Sequence, residues 1–166
     1  MRSAVAIAAA VVMFGFFNYS IYRMEDLKAN GTTMLVELAP RDPLSLIQGY
    51  YMQLGFAIER DLEDSDPDRG QVVVRPDADN VAEFVRHYRG EPLNEGERLL
   101  RYRRRGTRMQ IVPDSYLFQE GHAEAYQQAR YAIFQFGDVG SYILVGLADE
   151  TRQPIRPAEA GLMDPS

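Results

Sequence analysis

Residues 3–22 form the longest apolar run of the chain, and no charged residue interrupts it. At about 1.5 Å of rise per residue, a helix over this run measures about 30 Å, the thickness of the hydrocarbon core of a bilayer. Tyr19 and Tyr22 lie at its far end, where amphipathic rings favour a membrane interface. The pattern therefore predicts a transmembrane helix, continued by a stalk that stops at Asn30 and Gly31.

A cleaved signal peptide is the alternative for this run. Such a peptide needs a short apolar core followed by small residues at the cleavage site. The small residues at Ala8 and Ala10 come too early, and bulky or polar residues follow Phe17. We therefore favour an uncleaved signal anchor.

The charges beside the run bear on its orientation. Arg2 and the amino terminus favour an inside start, whereas Arg23 and Lys28 lie on the other flank. Because the flank before the run is very short, we expect the long carboxyl-terminal part to be translocated outward. This predicts a single-pass protein whose remaining chain is extracytoplasmic.

Beyond the stalk the pattern changes to alternation, which is typical of half-buried strands. Residues 50–59 alternate most regularly, and their apolar members are expected to face the core: Tyr50, Met52, Leu54, Phe56 and Ile58. Residues 98–105 place Leu100 and Tyr102 on one side and arginines on the other, and Gly106 predicts a turn into the next strand.

Two polar or glycine-rich segments predict hairpins, at residues 77–80 and 137–140. For the first, a helix is the alternative, because apolar residues follow at helical spacing: Val81, Phe84, Val85 and Tyr88. We favour the hairpin, since the segment ends at Gly90 and is rich in Val, Phe and Tyr.

These elements together predict a mainly β protein. Roughly seven to nine short strands are expected to form an antiparallel β-sandwich or a partly open barrel, with one short helical segment within residues 123–130. The predicted organisation is an anchor and stalk over residues 1–30, a β-rich domain over residues 31–156 and a disordered tail over residues 157–166.

Composition excludes several functions. The net charge of −6 argues against a nucleic-acid binder, since phosphate binding needs clustered cations. The absence of cysteine excludes disulfides, thiolate catalysis and cysteine-ligated zinc. Lys28 is the only lysine and adjoins the apolar run, which argues against a Ser-Lys dyad. We expect no cofactor.

The acidic segment 59–70 has two interpretations. It contains four oxygen ligands for calcium: Asp61, Asp64, Asp66 and Asp68. It lacks the glycine and terminal glutamate spacing of a calcium-binding hand. We therefore interpret it as a solvated loop and expect no metal site.

The arginines of residues 98–108 form the one basic patch of the sequence. The favoured interpretation is a solvated strand face balanced by carboxylates. The alternative is a binding site for an anionic lipid, a cell-wall polymer or an acidic partner. Its candidate residues are Arg101, Arg103, Arg104, Arg105 and Arg108.

Catalytic candidates are few. His122 is the best acid-base candidate because Glu120 and Glu124 are near it in the sequence, but this spacing fits no helix face. If the protein is an envelope hydrolase, its candidate catalytic residues are Asp42, Glu120 and His122. No serine lies in a nucleophile elbow.

The segment around residues 42–56 resembles the signature of the GDYXXLXY-domain family. The residues that carry the resemblance, with two from a later block, are Asp42, Pro43, Gly49, Tyr50, Tyr51, Leu54, Phe56, Glu120 and Gly121. Tyr50 replaces the acid of that signature and Phe56 its last tyrosine. The similarity extends over residues 32–155.

The resemblance implies a small bacterial protein with an amino-terminal inner-membrane segment, often found beside a polytopic membrane protein, with no established activity. If the acid of the signature were catalytic, Tyr50 would mean that this chain has lost it. The expected function is therefore an accessory protein whose periplasmic domain binds a membrane-protein partner or an envelope ligand. The alternative is the hydrolase described above.

Overall fold

The computed structural model describes residues 2–39, 47–48, 51–62, 66–119, 122–138 and 140–156, with side chains described from residue 10 onward except at 47–48. A single helix, α1, spans Arg2–Asn30. It ends where the sequence predicts, since Gly31 donates its N–H to the carbonyl of Leu27 over 3.0 Å. Within the described residues, no helix combines the length and the apolar character needed to cross a bilayer, so the transmembrane prediction is not supported.

Ten strands follow among the described residues. They are β1 (Thr32–Glu37), β2 (Ile47–Gln48), β3 (Tyr51–Gln53), β4 (Arg69–Pro76), β5 (Ala82–His87), β6 (Arg98–Arg105), β7 (Arg108–Ile111), β8 (Ser115–Leu117), β9 (Tyr131–Phe136) and β10 (Tyr142–Ala148). A 3₁₀ helix covers Ala57–Asp61, and a short helix, α2, covers Ala123–Tyr126 within the predicted helical segment.

The strands form three antiparallel sheets with the orders β1-β9-β10, β2-β3-β8 and β5-β4-β6-β7. A parallel bridge between Leu35 and Val81 joins the first sheet to the third, so the two together curve around the core as a half-barrel. This confirms a mainly β, antiparallel fold, and the half-barrel corresponds to the partly open barrel rather than to a sandwich.

The β4–β5 hairpin turns where the sequence predicts. The Asp77 carboxylate accepts the N–H groups of Asp79 and Val81, both over 2.8 Å, and Asn80 adopts a positive φ of 63°. The Asn80 side chain also donates to the carbonyl of Thr33, which attaches the turn to β1. The alternative of a helix after this turn is therefore wrong.

The strand predicted over residues 50–59 is shorter than expected. Regular pairing stops after β3, because Phe56 leaves the small sheet to bridge Leu38 beside β1, and the chain then turns into the 3₁₀ helix. The predicted apolar face is nevertheless buried as far as it is described, at Met52, Leu54, Phe56 and Ile58. The turn of the 3₁₀ helix keeps Ile58 directed into the core.

One hydrophobic core lies inside the half-barrel. The ring of Phe56 packs against Phe134 with 5.9 Å between centroids, and Phe134 contacts Phe136 and Tyr142 in turn. The hydroxyl of Tyr142 donates to the carbonyl of Val112. The same oxygen accepts the N–H of Arg101, so Tyr142 links β10 to β6 and to the residue that follows β7.

Candidate functional site

The signature residues separate into a buried and an exposed part. Leu54 and Phe56 are completely buried in the core. Tyr51 points the other way, is 40% exposed and pairs across the strands with Leu117, which is 76% exposed. The other signature residues lie outside the described residues: Asp42, Pro43, Gly49, Tyr50, Glu120 and Gly121. The described motif is therefore mainly a packing element.

The candidate hydrolase residues are only partly described. His122 directly precedes α2, is half-buried, and donates its backbone N–H to the carbonyl of Gln119 over 3.2 Å. Asp42 and Glu120 lie outside the described residues, so the hydrolase stays a prediction. Across the described part of the chain, no three acidic or histidine side chains lie close enough to hold a metal ion.

Of the four residues considered as calcium ligands, Asp66 and Asp68 have other partners. Asp66 lies 3.6 Å from the Nε2 atom of His87. The Asp68 carboxylate accepts a 2.7 Å hydrogen bond from Arg104. Asp64 lies outside the described residues.

The structure divides the five arginine candidates. Arg104 lies on the same strand face as Leu100 and Tyr102, and its bond to Asp68 removes it from the basic group. The guanidinium of Arg101 lies over the ring of Tyr142, 5.0 Å from its centroid. These two members of the predicted group of five therefore have contacts within the protein, and the anion-binding site stays a prediction.

The remaining arginines share one outer sheet face with a residue that the sequence did not suggest. Arg69 of β4 is directly opposite Arg103, and Arg105 is directly opposite Arg108. We call Arg69, Arg103, Arg105 and Arg108 the arginine patch. In the described part of the chain, one carboxylate serves this patch, since Asp114 accepts hydrogen bonds from Arg103 over 3.1 Å and from Arg105 over 3.3 Å.

The register between β4 and β6 explains why Arg69 was missed. Gly70 faces the ring of Tyr102, and a Cβ atom on Gly70 would collide with that ring. The match of a glycine to a large ring across two strands fixes Arg69 opposite Arg103. Gly70 is a sequence signal for this register, but the signal can be used only when the pairing of β4 with β6 is known.

A second charged cluster lies on the same sheet, at the other edge. Arg86 donates to both carboxylate oxygens of Glu97, over 2.7 and 2.9 Å, and its Nε donates to Glu91 over 2.9 Å. Asn94 donates both its backbone and side-chain N–H to Glu97. We call Arg86, Glu91, Asn94 and Glu97 the Arg86 network.

The Arg86 network is electrostatically satisfied. The Glu97 residue is only 4% exposed. The hydrogen bond from Arg86, followed by those from Asn94, lowers the pKa of Glu97 to about 2. The two carboxylates in turn raise the pKa of Arg86 above its ordinary value. This network closes the segment between β5 and β6 and has no cation left for a ligand.

A groove of about 640 Å³ separates the last turns of α1 from the β9–β10 hairpin. Its walls include Ser20, Arg23, Arg101, Ser141 and Tyr142. The hairpin is held to α1 by an ion pair between Arg23 and Asp138, 3.7 Å apart. The groove is therefore lined by both the helix and the β-rich part of the chain.

Comparisons with known proteins identify the family. The chain matches the family model described as GDYXXLXY protein over residues 13–147, from the middle of α1 to the end of β10. The comparison with curated proteins found no match, and the comparison with solved structures found none. Because the family match extends over most of the sequence and agrees with the signature at Gly49, Tyr51 and Leu54, the chain belongs to the GDYXXLXY protein family.

Proposed function

We propose that this protein is a membrane-tethered accessory protein of the bacterial envelope. In this proposal α1 anchors the chain in the inner membrane, and the β-rich part lies at the outer face, where it binds a membrane-protein partner. The resemblance to small bacterial proteins with an amino-terminal membrane segment supports the setting, and the surface of α1 supports the tether.

The observation that carries the proposal is the exposure of the apolar side chains of α1. Ten large hydrophobic residues between positions 11 and 24 are each 52% to 72% exposed: Val11, Val12, Met13, Phe14, Phe16, Phe17, Tyr19, Ile21, Tyr22 and Met24. They lie on every side of the helix, unlike the single apolar stripe of a helix that packs on a soluble core. An apolar surface of this kind is stable only when another apolar phase covers it.

A lipid phase fits this surface. The uncharged run of the sequence begins at Ser3. It is therefore longer than the part of α1 whose side chains are described, which starts at residue 10. Tyr19 and Tyr22 close the run, and Arg23 follows directly, as at an interfacial boundary. A tether raises the local concentration of the β-rich part near other proteins of the same membrane.

The groove is the proposed contact for the partner. Because its walls come from α1 and from the β9–β10 hairpin, a protein embedded beside α1 would reach both at once. Its lining combines an aromatic ring with charges of both signs, contributed by Tyr142, Arg23 and Asp138. Polar and aromatic groups together are typical of specific protein contacts.

The tether is tested by membrane fractionation of the full-length protein. Val12→Glu with Phe16→Glu places two carboxylates in the apolar run, where each costs about 3 kcal/mol in a bilayer centre. The matched control, Gln127→Glu with Gln128→Glu, adds the same charge at exposed domain positions. We expect the wild type and the control to float with membranes and the α1 variant to be lost from them. A wild-type protein in the soluble fraction contradicts the tether.

The partner is tested by purification from membranes in mild detergent. We expect a polytopic membrane protein, encoded by a neighbouring gene, to co-purify with the wild type. Ser141→Arg fills the groove and should abolish that association, whereas Gln128→Arg, outside the groove, should preserve it. Equal recovery of the partner with both variants would contradict the claim that the partner binds in the groove.

A further inference from the structure

We propose that the arginine patch is a second membrane contact, which binds the phosphate groups of anionic phospholipids at the bilayer surface beside α1. This inference rests on the proposed tether, which places that surface close to the patch. It differs from the tether in chemistry, since it depends on charge rather than on apolar burial.

The first argument is the arrangement of like charges. Arg69 faces Arg103 across β4 and β6, and Arg105 faces Arg108 across β6 and β7. Adjacent strands are about 4.8 Å apart, and the two rows are about 7 Å apart along the strands. Like charges directly opposite each other destabilise a sheet. Folding therefore gives no reason to concentrate four arginines here in a protein whose net charge is −6.

The second argument is that the patch is preorganised but not neutralised. Asp114 is 8% exposed, and its carboxylate holds Arg103 and Arg105 from below. The side chains of these arginines remain 46% and 64% exposed. Within the described residues, no acidic side chain forms an ion pair with Arg69 or Arg108. Among the described residues, four guanidinium groups thus share one carboxylate, and a planar guanidinium suits phosphate oxygens.

The third argument is position. Arg23 directly follows the apolar run and pairs with Asp138 in the β9–β10 turn. In the same turn, a Cβ atom on Gly140 would lie 3.8 Å from the side-chain nitrogen of Gln71. Gln71 of β4 belongs to the sheet row next to that of Arg69. The patch therefore begins one sheet row, or about 7 Å, beyond the β9–β10 turn. This turn contacts α1 at the predicted bilayer surface.

The experiment measures how close the patch comes to lipid headgroups in the full-length protein. The chain has no cysteine, so Thr107→Cys, at the exposed β6–β7 turn, gives a unique site for a fluorescent donor. The protein is reconstituted into phosphatidylcholine vesicles with or without phosphatidylglycerol, each carrying a headgroup-labelled acceptor. We expect energy transfer to increase with phosphatidylglycerol and to fall as salt screens the contact.

A matched pair of variants isolates the patch. Arg69→Gln with Arg108→Gln removes two arginines of the patch and keeps both bonds to Asp114. Arg60→Gln with Arg130→Gln removes two exposed arginines elsewhere. An arginine near an anionic surface favours the bound state about 5-fold, so the patch variant, which lacks two arginines, should lower the docked-to-undocked ratio roughly 25-fold. The control should behave as wild type.

The outcomes separate this inference from the tether. A protein that does not float with pure phosphatidylcholine vesicles contradicts the tether, and the patch is then judged by flotation of wild type and patch variant with phosphatidylglycerol vesicles. A protein that floats with both lipids, but shows equal energy transfer in both, overturns the patch proposal. Equal behaviour of the patch variant and the wild type overturns it as well.

Discussion

Two clusters of charged side chains lie on one sheet, β5-β4-β6-β7, and they have opposite ratios of acidic to basic side chains. In the Arg86 network, one arginine is shared by two glutamates, and Glu97 is almost completely buried. In the arginine patch, Asp114 binds two of the four arginines, Arg103 and Arg105, and all four arginines are exposed. The difference teaches that the ratio of acids to cations, together with burial, distinguishes a cluster that closes the fold from one that presents charge to a ligand.

The largest difference is expected from the same substitution in the two clusters. Arg86→Gln leaves Glu97 buried without a cation, which strongly destabilises a protein. We expect the melting temperature to fall on the order of 10 °C, whereas Arg105→Gln should change it by roughly 2 °C or less. Thermal unfolding followed by circular dichroism measures both. Equal losses would erase the distinction between the two clusters.

Acid should weaken the Arg86 network. The folded pKa of Glu97 is about 2, below its ordinary value of 4.5, because Arg86 and Asn94 stabilise the carboxylate. Its contribution to stability is therefore complete above about pH 4.5 and is lost as the pH falls towards 2. Urea unfolding at several pH values should show this loss. In Glu97→Gln the same pH interval should show a shallower dependence, and an identical slope would contradict the assignment.

The central carboxylate of the patch should matter less. Asp114→Asn removes the negative charge and one of the two acceptor oxygens that Arg103 and Arg105 share, but both arginines are exposed enough to be hydrated instead. The backbone bond from Leu54 to the carbonyl of Asp114 is unaffected by the substitution. We expect a loss of about 1 kcal/mol or less in the free energy of unfolding. A loss as large as that of Arg86→Gln would show that Asp114 mainly holds the fold.

The smallest effect on stability is expected from the variant designed to abolish lipid contact. Arg69→Gln with Arg108→Gln removes one member of each like-charge pair. Its free energy of unfolding should stay within about 0.5 kcal/mol of wild type, or rise slightly as repulsion is relieved. Denaturant unfolding measures this value. A clear destabilisation would mean that the patch contributes to folding.

Much of the fold follows from local pattern. The alternation at Leu100 and Tyr102 predicts the buried face of β6, and the turn at residues 77–80 predicts the β4–β5 hairpin because Asp77 and Asn80 stabilise it locally. Both features depend on neighbours in the sequence. They were predictable for that reason.

The rest depends on contacts between distant segments. The 3₁₀ helix after Phe56 replaces a predicted strand because Phe56 pairs with Leu38, eighteen positions earlier in the chain. The Arg86 network joins β5 to the residue before β6, and no local pattern marks it. Only the strand pairing and the contacts across it show that Arg69 belongs to the arginine patch and that Arg104 does not.

The join between α1 and β1 has a mechanical consequence. A single residue, Gly31, separates helix from strand, and a Cβ atom there would lie 2.9 Å from the side-chain oxygen of Gln135 and also collide with the carbonyl of Leu27. The Leu27 side chain packs against Gly137, and Arg23 pairs with Asp138, so α1 is held along its last turns. This one-residue connection is too short and too crowded for α1 to rotate independently of the β-rich part. A tilt of α1 therefore rotates the whole β-rich part with it, and the helix sets the direction in which the arginine patch points.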